Sequence, residues 1–155
     1  MDRQRRDVLR SAGGLGIWTM LVATGLVTPA DARAARDNAI FDATSLDAAL
    51  NALGAQSPLD SEDIRIVVPG VAEDGRAVPL GVVSRIPRTT RIVIVIEENP
   101  YKVAASFVLS ESTVPEVHTR VKMNRSTTVH ALVRADDRFF VARRDVRVTI
   151  GGCGL

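Results

Sequence analysis

The chain has little cysteine and few aromatic residues. Its 155 residues include one cysteine, Cys153. A single cysteine excludes both an intramolecular disulfide and a cysteine-based metal cluster. Aromatic residues make up 4% of the chain, and this scarcity argues against a platform on which single-stranded nucleic acid could stack.

An excess of charge of one sign is also missing. The 20 Lys and Arg residues nearly balance the 18 Asp and Glu residues, giving a formal net charge of +2. Residues 1–34 hold five arginines and three aspartates, so the whole excess lies there and the rest of the chain is neutral. A neutral domain has no electrostatic attraction for nucleic acid or an anionic membrane, and we expect neither as a partner.

What is present is enough apolar sequence for one folded domain. Hydrophobic residues make up 46% of the chain and charged residues 25%. That composition excludes a disordered chain, and the length suits one domain better than two.

The first 34 residues read as an export signal. A basic start that includes Arg5 and Arg6 precedes an apolar stretch over 13–27, which is shorter than the ~20 residues of a spanning helix. Ala32-Arg33-Ala34 then suits signal peptidase. The run RRDVLR resembles the twin-arginine export motif, so we predict that residues 1–34 are a signal peptide for the bacterial periplasm. An uncleaved membrane anchor is the alternative.

One helix is predicted at 44–54, after a lead-in over 35–43. Apolar residues recur there at spacings of three and four, which places them on one face: Leu46, Ala49, Leu50 and Leu53. Thr44 or Ser45 can cap the start, and Gly54 ends the helix.

The rest of the chain alternates as β-strands do. Eight strands are predicted, at 64–68, 78–83, 91–97, 103–109, 117–123, 127–134, 138–142 and 145–150. Pro79 predicts that its strand is an edge, and the run from Ile92 to Ile96 predicts a strand buried on both faces. Glu73-Asp74-Gly75 and Asp136-Asp137 are predicted turns. The fold we expect is mainly β: an immunoglobulin-like β-sandwich over 35–150 with one short N-terminal helix.

The segment 151–155 is the most informative part of the sequence. Gly151, Gly152 and Gly154 surround Cys153, directly after a clean alternation over 146–150. Glycine has no Cβ, so we expect a thin, flexible C-terminal arm on a rigid base, carrying the only thiol. A thiolate held this way suits a group that is delivered into the active site of another protein. A disordered tail with an incidental cysteine is the alternative.

Several short motifs together resemble the SoxY family, the sulfur-carrier subunits of bacterial thiosulfate oxidation. The ending Gly151-Gly152-Cys153-Gly154 resembles that family's GGCGG motif. Three further stretches resemble its internal motifs: IVVPGVAEDGRAVP over 66–79, EENP over 97–100 and TRVKM over 119–123. The family motif usually finishes with glycine where this chain has Leu155, and this difference leaves the choice of partner enzymes open.

The resemblance implies a role and a set of partners. It implies that Cys153 covalently carries sulfur intermediates and that the chain pairs with a second sandwich subunit, SoxZ. The enzymes it would visit are the c-type cytochrome SoxAX, the metal-dependent hydrolase SoxB and, in some organisms, the sulfur dehydrogenase SoxCD. It implies that the chain has no cofactor and catalyses no step alone.

Two other functions remain as alternatives. The chain could be a non-enzymatic binding or assembly module whose cysteine forms only intermolecular disulfides. A thiol-dependent enzyme is disfavoured, because no base or orienting group accompanies the thiol in the sequence. We therefore assign no catalytic, cofactor-binding or metal-binding residues, and interpret His118 and His130 as structural or surface histidines. Arg143, Arg144 and Arg147 are interpreted as a solvated face, with steering of anionic sulfur species as the alternative.

Overall fold

A computed structural model describes residues 39–110 and 112–150 of the chain. These residues form a short 3-10 helix, Ile40–Asp42, and one α-helix, α1, at Leu46–Leu53. The nine strands are β1 (Leu59–Asp60), β2 (Ile64–Val67), β3 (Val71–Asp74), β4 (Val78–Ser84), β5 (Thr89–Ile96), β6 (Val103–Val108), β7 (Glu116–Val121), β8 (Thr127–Ala135) and β9 (Arg138–Ile150). No helix within the described ranges is long and apolar enough to cross a membrane.

The strands form two sheets that pack face to face. The larger sheet runs in the order β1-β9-β8-β5-β6, with β3 also paired to β9, and the smaller sheet in the order β2-β4-β7. All pairings are antiparallel except those of β1 and β3 with β9, which are parallel. This architecture confirms the predicted immunoglobulin-like β-sandwich.

The core between the sheets consists of alternate residues from facing strands. Ile92, Ile94 and Ile96 of β5 are fully buried there, opposite Leu80 and Val82 of β4. Because side chains of a strand alternate between its two faces, Val93 and Val95 point away from this core.

Those two valines lie in a second apolar cluster on the outer face of the larger sheet. Val93 and Val95 are also fully buried, and they pack there with Ile40 and with Ala49 of α1. The helix therefore covers the outer face of β5. The prediction of a strand buried on both faces is confirmed.

Helix α1 begins and ends where the sequence predicts. Ser45 is the N-cap, and its side chain accepts a hydrogen bond of 3.1 Å from the backbone N–H of Ala48. Gly54 ends the helix with a φ of 71°, a left-handed conformation that glycine adopts without a steric penalty. Ala49 is fully buried on the predicted apolar face.

Replacing Ser45 with alanine is expected to lower the free energy of unfolding by about 1 kcal/mol, since an N–H group in the first turn loses its acceptor. Urea denaturation measures the change. Thr44→Ala is the matched control, because Thr44 precedes the cap residue, and its effect should be clearly smaller. Equal losses in the two variants would contradict the assignment of Ser45 as the cap.

The prediction that β4 is an edge strand is wrong. β4 lies between β2 and β7 and is the central strand of the smaller sheet. Its pairing with β2 extends only as far as Gly81, whereas Pro79 has a register partner on β7 alone, Arg120. A proline is tolerated within a central strand here because one neighbouring strand ends before reaching it.

The predicted strands 138–142 and 145–150 form one continuous strand, β9, of 13 residues. The charged residues between them interrupt the apolar pattern but not the pairing, since Arg143, Arg144 and Asp145 all have register partners on β8. The turn before β9 is confirmed at Asp136 and Asp137, whose φ angles are 47° and 60°. Positive φ at both positions is typical of the tight turns that join paired strands.

Two short strands were missed. Glu73 and Asp74 were predicted to form a turn but belong to β3, which pairs with the end of β9. β1, Leu59–Asp60, also pairs with β9. Strands of two and four residues are too short to show a period, and only their partner strand defines them.

Candidate functional site

The site that the structure defines is the root of the predicted arm, residues 147–150 at the end of β9. Pairing between β9 and β8 finishes where Val146 faces Thr127, so the root extends past the end of β8. A strand segment without neighbours would leave its backbone N–H and C=O groups without protein partners. The root obtains partners from two other parts of the chain.

One partner of the root is β3. Register pairs join Val71 to Arg147, Ala72 to Val148 and Asp74 to Ile150. The backbone N–H of Arg147 donates to the carbonyl of Gly70 at 2.9 Å. The chain is therefore held in strand geometry up to Ile150, the last described residue.

The other partner is a single side chain. Ser126 directly precedes β8, and its Oγ accepts a hydrogen bond of 3.0 Å from the backbone N–H of Val148. The same hydroxyl lies 3.4 Å from the carbonyl oxygen of Val148, to which it donates. Ser126 thus satisfies both backbone groups that a longer β8 would have paired.

A charged turn closes the root on the β3 side. The backbone N–H of Gly75 donates to the carbonyl of Ile150 at 2.8 Å, and the carbonyl of Gly75 accepts from the N–H of Met123 at 2.7 Å. Hydrogen bonds from Arg76 Nε and Nη2 to Asp74 Oδ2, at 2.9 and 2.7 Å, hold the pKa of Asp74 below its usual value of 3.8. The carboxylate is therefore ionised at neutral pH, next to the end of β9.

The three arginines near the root differ in their partners. Arg143 forms an ion pair with Asp60. Arg144 and Arg147 are exposed. Within the described ranges neither of these two side chains takes part in an ion pair.

Both histidines have carboxylate partners. His118 Nε2 lies 2.7 Å from Glu116 Oε1 on the exposed face of β7. His130 is 7% exposed, and its Nε2 lies 3.1 Å from Glu97 Oε2. The interpretation of both histidines as structural or surface residues fits these contacts. Glu97 lies in the turn after β5, and its carboxylate is the partner of the buried His130.

Within the described part of the chain, no group of three or more His, Cys, Asp or Glu residues is placed to hold a metal ion. The residues predicted to carry the sulfur chemistry lie outside the described residues: Cys153 and its neighbours Gly151, Gly152 and Gly154. The predicted export-signal residues Arg5 and Arg6 also lie outside them.

Sequence reasoning missed the residues that hold the root. Alternation over 146–150 predicts a strand, but nothing in that pattern shows that β9 extends beyond the end of β8. Ser126 lies 22 residues from Val148 in sequence, and Thr149 donates a hydrogen bond to the carbonyl of Glu73, which is 76 residues away. The one available signal was the motif AEDG over 72–75, which was interpreted as a turn and as part of the family resemblance.

Comparison with known proteins gives consistent results. The family model of the sulfur oxidation protein SoxY matches residues 49–153, a range that includes Cys153. A search among curated proteins found no match to this chain. Among solved structures, the sulfur carrier protein SoxY from Chlorobium limicola f thiosulfatophilum is similar, with 34% sequence identity and a TM-score of 0.62. The similarity covers 70% of this chain and 95% of the Chlorobium chain.

The family match covers well over half of the chain, and the fold agrees with that of the solved relative. The chain belongs to the SoxY family of sulfur oxidation proteins.

Proposed function

We propose that this chain is a periplasmic carrier that holds sulfur intermediates covalently on Cys153 during the oxidation of thiosulfate. The observation that carries the proposal is the family match over 49–153, because it extends through the fold to the lone cysteine. The solved relative, described as a sulfur carrier protein, supports it. The held root also supports it, since a carrier needs a fixed base for its arm.

The proposed loading step is an oxidative joining of two sulfur atoms. The thiolate of Cys153 and thiosulfate form a new S–S bond, giving a cysteine S-thiosulfonate and releasing two electrons to the c-type cytochrome SoxAX. The thiolate is the reactive form of cysteine, and loading should therefore slow as the thiol becomes protonated.

The proposed unloading step is hydrolytic. Water attacks the terminal sulfonate sulfur in the hydrolase SoxB, releasing sulfate and two protons and leaving a persulfide on Cys153. In organisms that contain the sulfur dehydrogenase SoxCD, that enzyme would oxidise the remaining sulfane sulfur. The carrier itself contributes the thiol and its delivery, and we assign it no catalytic residue and no cofactor.

The proposal includes a partner subunit and a compartment. We propose that the chain forms a heterodimer with a SoxZ-like subunit and meets the other Sox proteins in the periplasm. The sequence RRDVLR at 5–10 supports export by the twin-arginine route, with residues 1–34 removed. Neither nucleic acid nor a membrane is part of this proposal, since the chain after residue 34 has no net charge.

The intact mass of the protein from cells consuming thiosulfate tests the proposed function. We expect sulfur or sulfur-oxyanion additions that map to Cys153 and are removed by a thiol reductant. The same spectrum shows whether residues 1–34 are absent. A bare thiol or only a symmetric disulfide in such cells would contradict the carrier and favour an assembly module.

A further inference from the structure

Ser126 and Thr149 make the side-chain hydrogen bonds to backbone atoms at the arm root. We propose that these two residues form a root clamp that positions the base of the carrier arm, so that β9 keeps its strand geometry through Ile150. This inference rests on the proposed carrier function. It adds two positioning residues to the one residue, Cys153, that carries the chemistry.

The Ser126 half of the clamp replaces a missing strand. Beyond Val146 there is no residue of β8 to pair with β9. Ser126 Oγ accepts from the N–H of Val148 at 3.0 Å and donates to its carbonyl at 3.4 Å. No other side-chain hydrogen bond of Ser126 occurs in the described ranges, so its hydroxyl serves the root alone.

The Thr149 half ties the root to β3. Thr149 Oγ1 donates to the carbonyl of Glu73 at 2.9 Å and lies 3.5 Å from that of Ala72. The side chain therefore adds to the parallel ladder that already joins β3 to the root.

The clamp adds to the backbone ladder with β3 at a point where the end of the root has little apolar burial. Thr149 and Ile150 are exposed, and Ile150 retains 66% of its accessible surface. Val148 packs against the core, but apolar burial contributes little at Thr149 and Ile150, where hydrogen bonds are the main restraint. Without the two hydroxyls, residues 147–150 would be held by the ladder with β3 and by Val148, and they would open more often.

A carrier whose root is less ordered should dock less tightly in a partner enzyme. Each residue that becomes ordered only when the arm enters a partner enzyme weakens that docking by about five- to thirtyfold. A clamped root has lost this freedom before docking. The clamp should thus lower the carrier concentration at which an enzyme is half saturated, without altering the reaction at the thiol.

The test compares two double variants of the full chain in complex with its partner subunit. Ser126→Ala with Thr149→Val removes both clamp hydroxyls and keeps the side-chain shapes. Ser61→Ala with Thr90→Val is the matched control, because Ser61 accepts from the N–H of Asp63 and Thr90 donates to the carbonyl of Arg134, both away from the root. Hydrogen exchange is measured at the amides of 147–150, and cytochrome reduction by thiosulfate is followed at increasing carrier concentration.

In the clamp variant we expect amide protection at 147–150 to fall about four- to hundredfold, since two hydroxyls are lost and each lost hydrogen bond shifts a local equilibrium by about two- to tenfold. The KM for the carrier should rise by at most the same factor while kcat stays within about twofold. The control should change neither quantity. Ser126→Thr alone keeps a hydroxyl at this position, and its amide protection at 147–150 should match that of the unaltered chain.

Unchanged protection at the root in the clamp variant would overturn the proposal. So would lowered protection with KM for the carrier unchanged, or a loss confined to kcat. Thermal unfolding shows whether the variants fold, and Ser126→Ala alone replaces the double variant if they do not. Absence of turnover in the unaltered chain would refute the carrier function, whereas the exchange measurement would still decide whether the two hydroxyls hold the root.

Discussion

Replacing Cys153 with serine is expected to abolish thiosulfate-dependent electron transfer in the reconstituted Sox system, reducing it to the rate measured without carrier. A serine hydroxyl cannot form an S–S bond with thiosulfate, and it is not ionised at neutral pH as a thiol partly is. The measurement is the rate of cytochrome reduction by thiosulfate in the presence of the complex.

Two controls separate this effect from misfolding. The Cys153→Ser variant should retain the unfolding midpoint and the partner affinity of the unaltered chain, because none of the core residues at 39–150 changes. Leu155→Gly introduces the usual family residue beside an intact cysteine and should sustain turnover. Undiminished electron transfer in Cys153→Ser would rule out the carrier mechanism.

The largest expected effect on stability is that of Ile94→Ala in β5. Ile94 is fully buried between the two sheets, and truncating an isoleucine at such a site leaves a cavity that the rigid strands cannot close. We expect the free energy of unfolding to fall by about 3 kcal/mol, within a range of about 2–5 kcal/mol for such truncations. Urea denaturation followed by far-UV circular dichroism measures the loss.

Val108→Ala is the comparison for this variant. Val108 lies on β6, the strand next to β5, but retains 75% of its accessible surface. Its truncation removes few contacts, so the free energy of unfolding should change by less than about 0.5 kcal/mol. Similar losses in the two variants would mean that the region around Ile94 is not a closely packed core.

The sequence predicted the parts of the fold that depend on local pattern. The spacing of Leu46, Ala49 and Leu50 predicts both the helix and its buried face. The unbroken apolar run 92–96 predicts a strand covered on both faces, which the two clusters around β5 confirm. Asp136 and Asp137 predict their turn because aspartate tolerates the positive φ that the turn needs.

Predictions about neighbouring strands were less successful. Pro79 led to an edge assignment for β4, whereas β4 is the central strand. The proline is tolerated because the pairing of β2 with β4 stops at Gly81, before it reaches Pro79. The charged residues 143–145 suggested a break in β9, although pairing with β8 continues through them. In each case the residue type was a poor guide, because it carries no information on where the neighbouring strand begins or ends.

The same division applies to the candidate site. A lone cysteine among glycines can be read from the sequence, because its meaning depends on residue types and their order along the chain. The root clamp cannot be read in this way, since it joins Ser126 and Glu73 to Val148 and Thr149 across 22 and 76 residues.

The sequence by itself determined the strand and helix periods, the composition of the core and the position of the only thiol. The tertiary structure decided which strands are neighbours, where β8 stops short of β9 and what holds the root beyond that point. The physical reason is that periodicity records which face of a strand is buried. Pairing partners depend instead on backbone groups, which are alike in nearly every residue and are placed only when the chain folds.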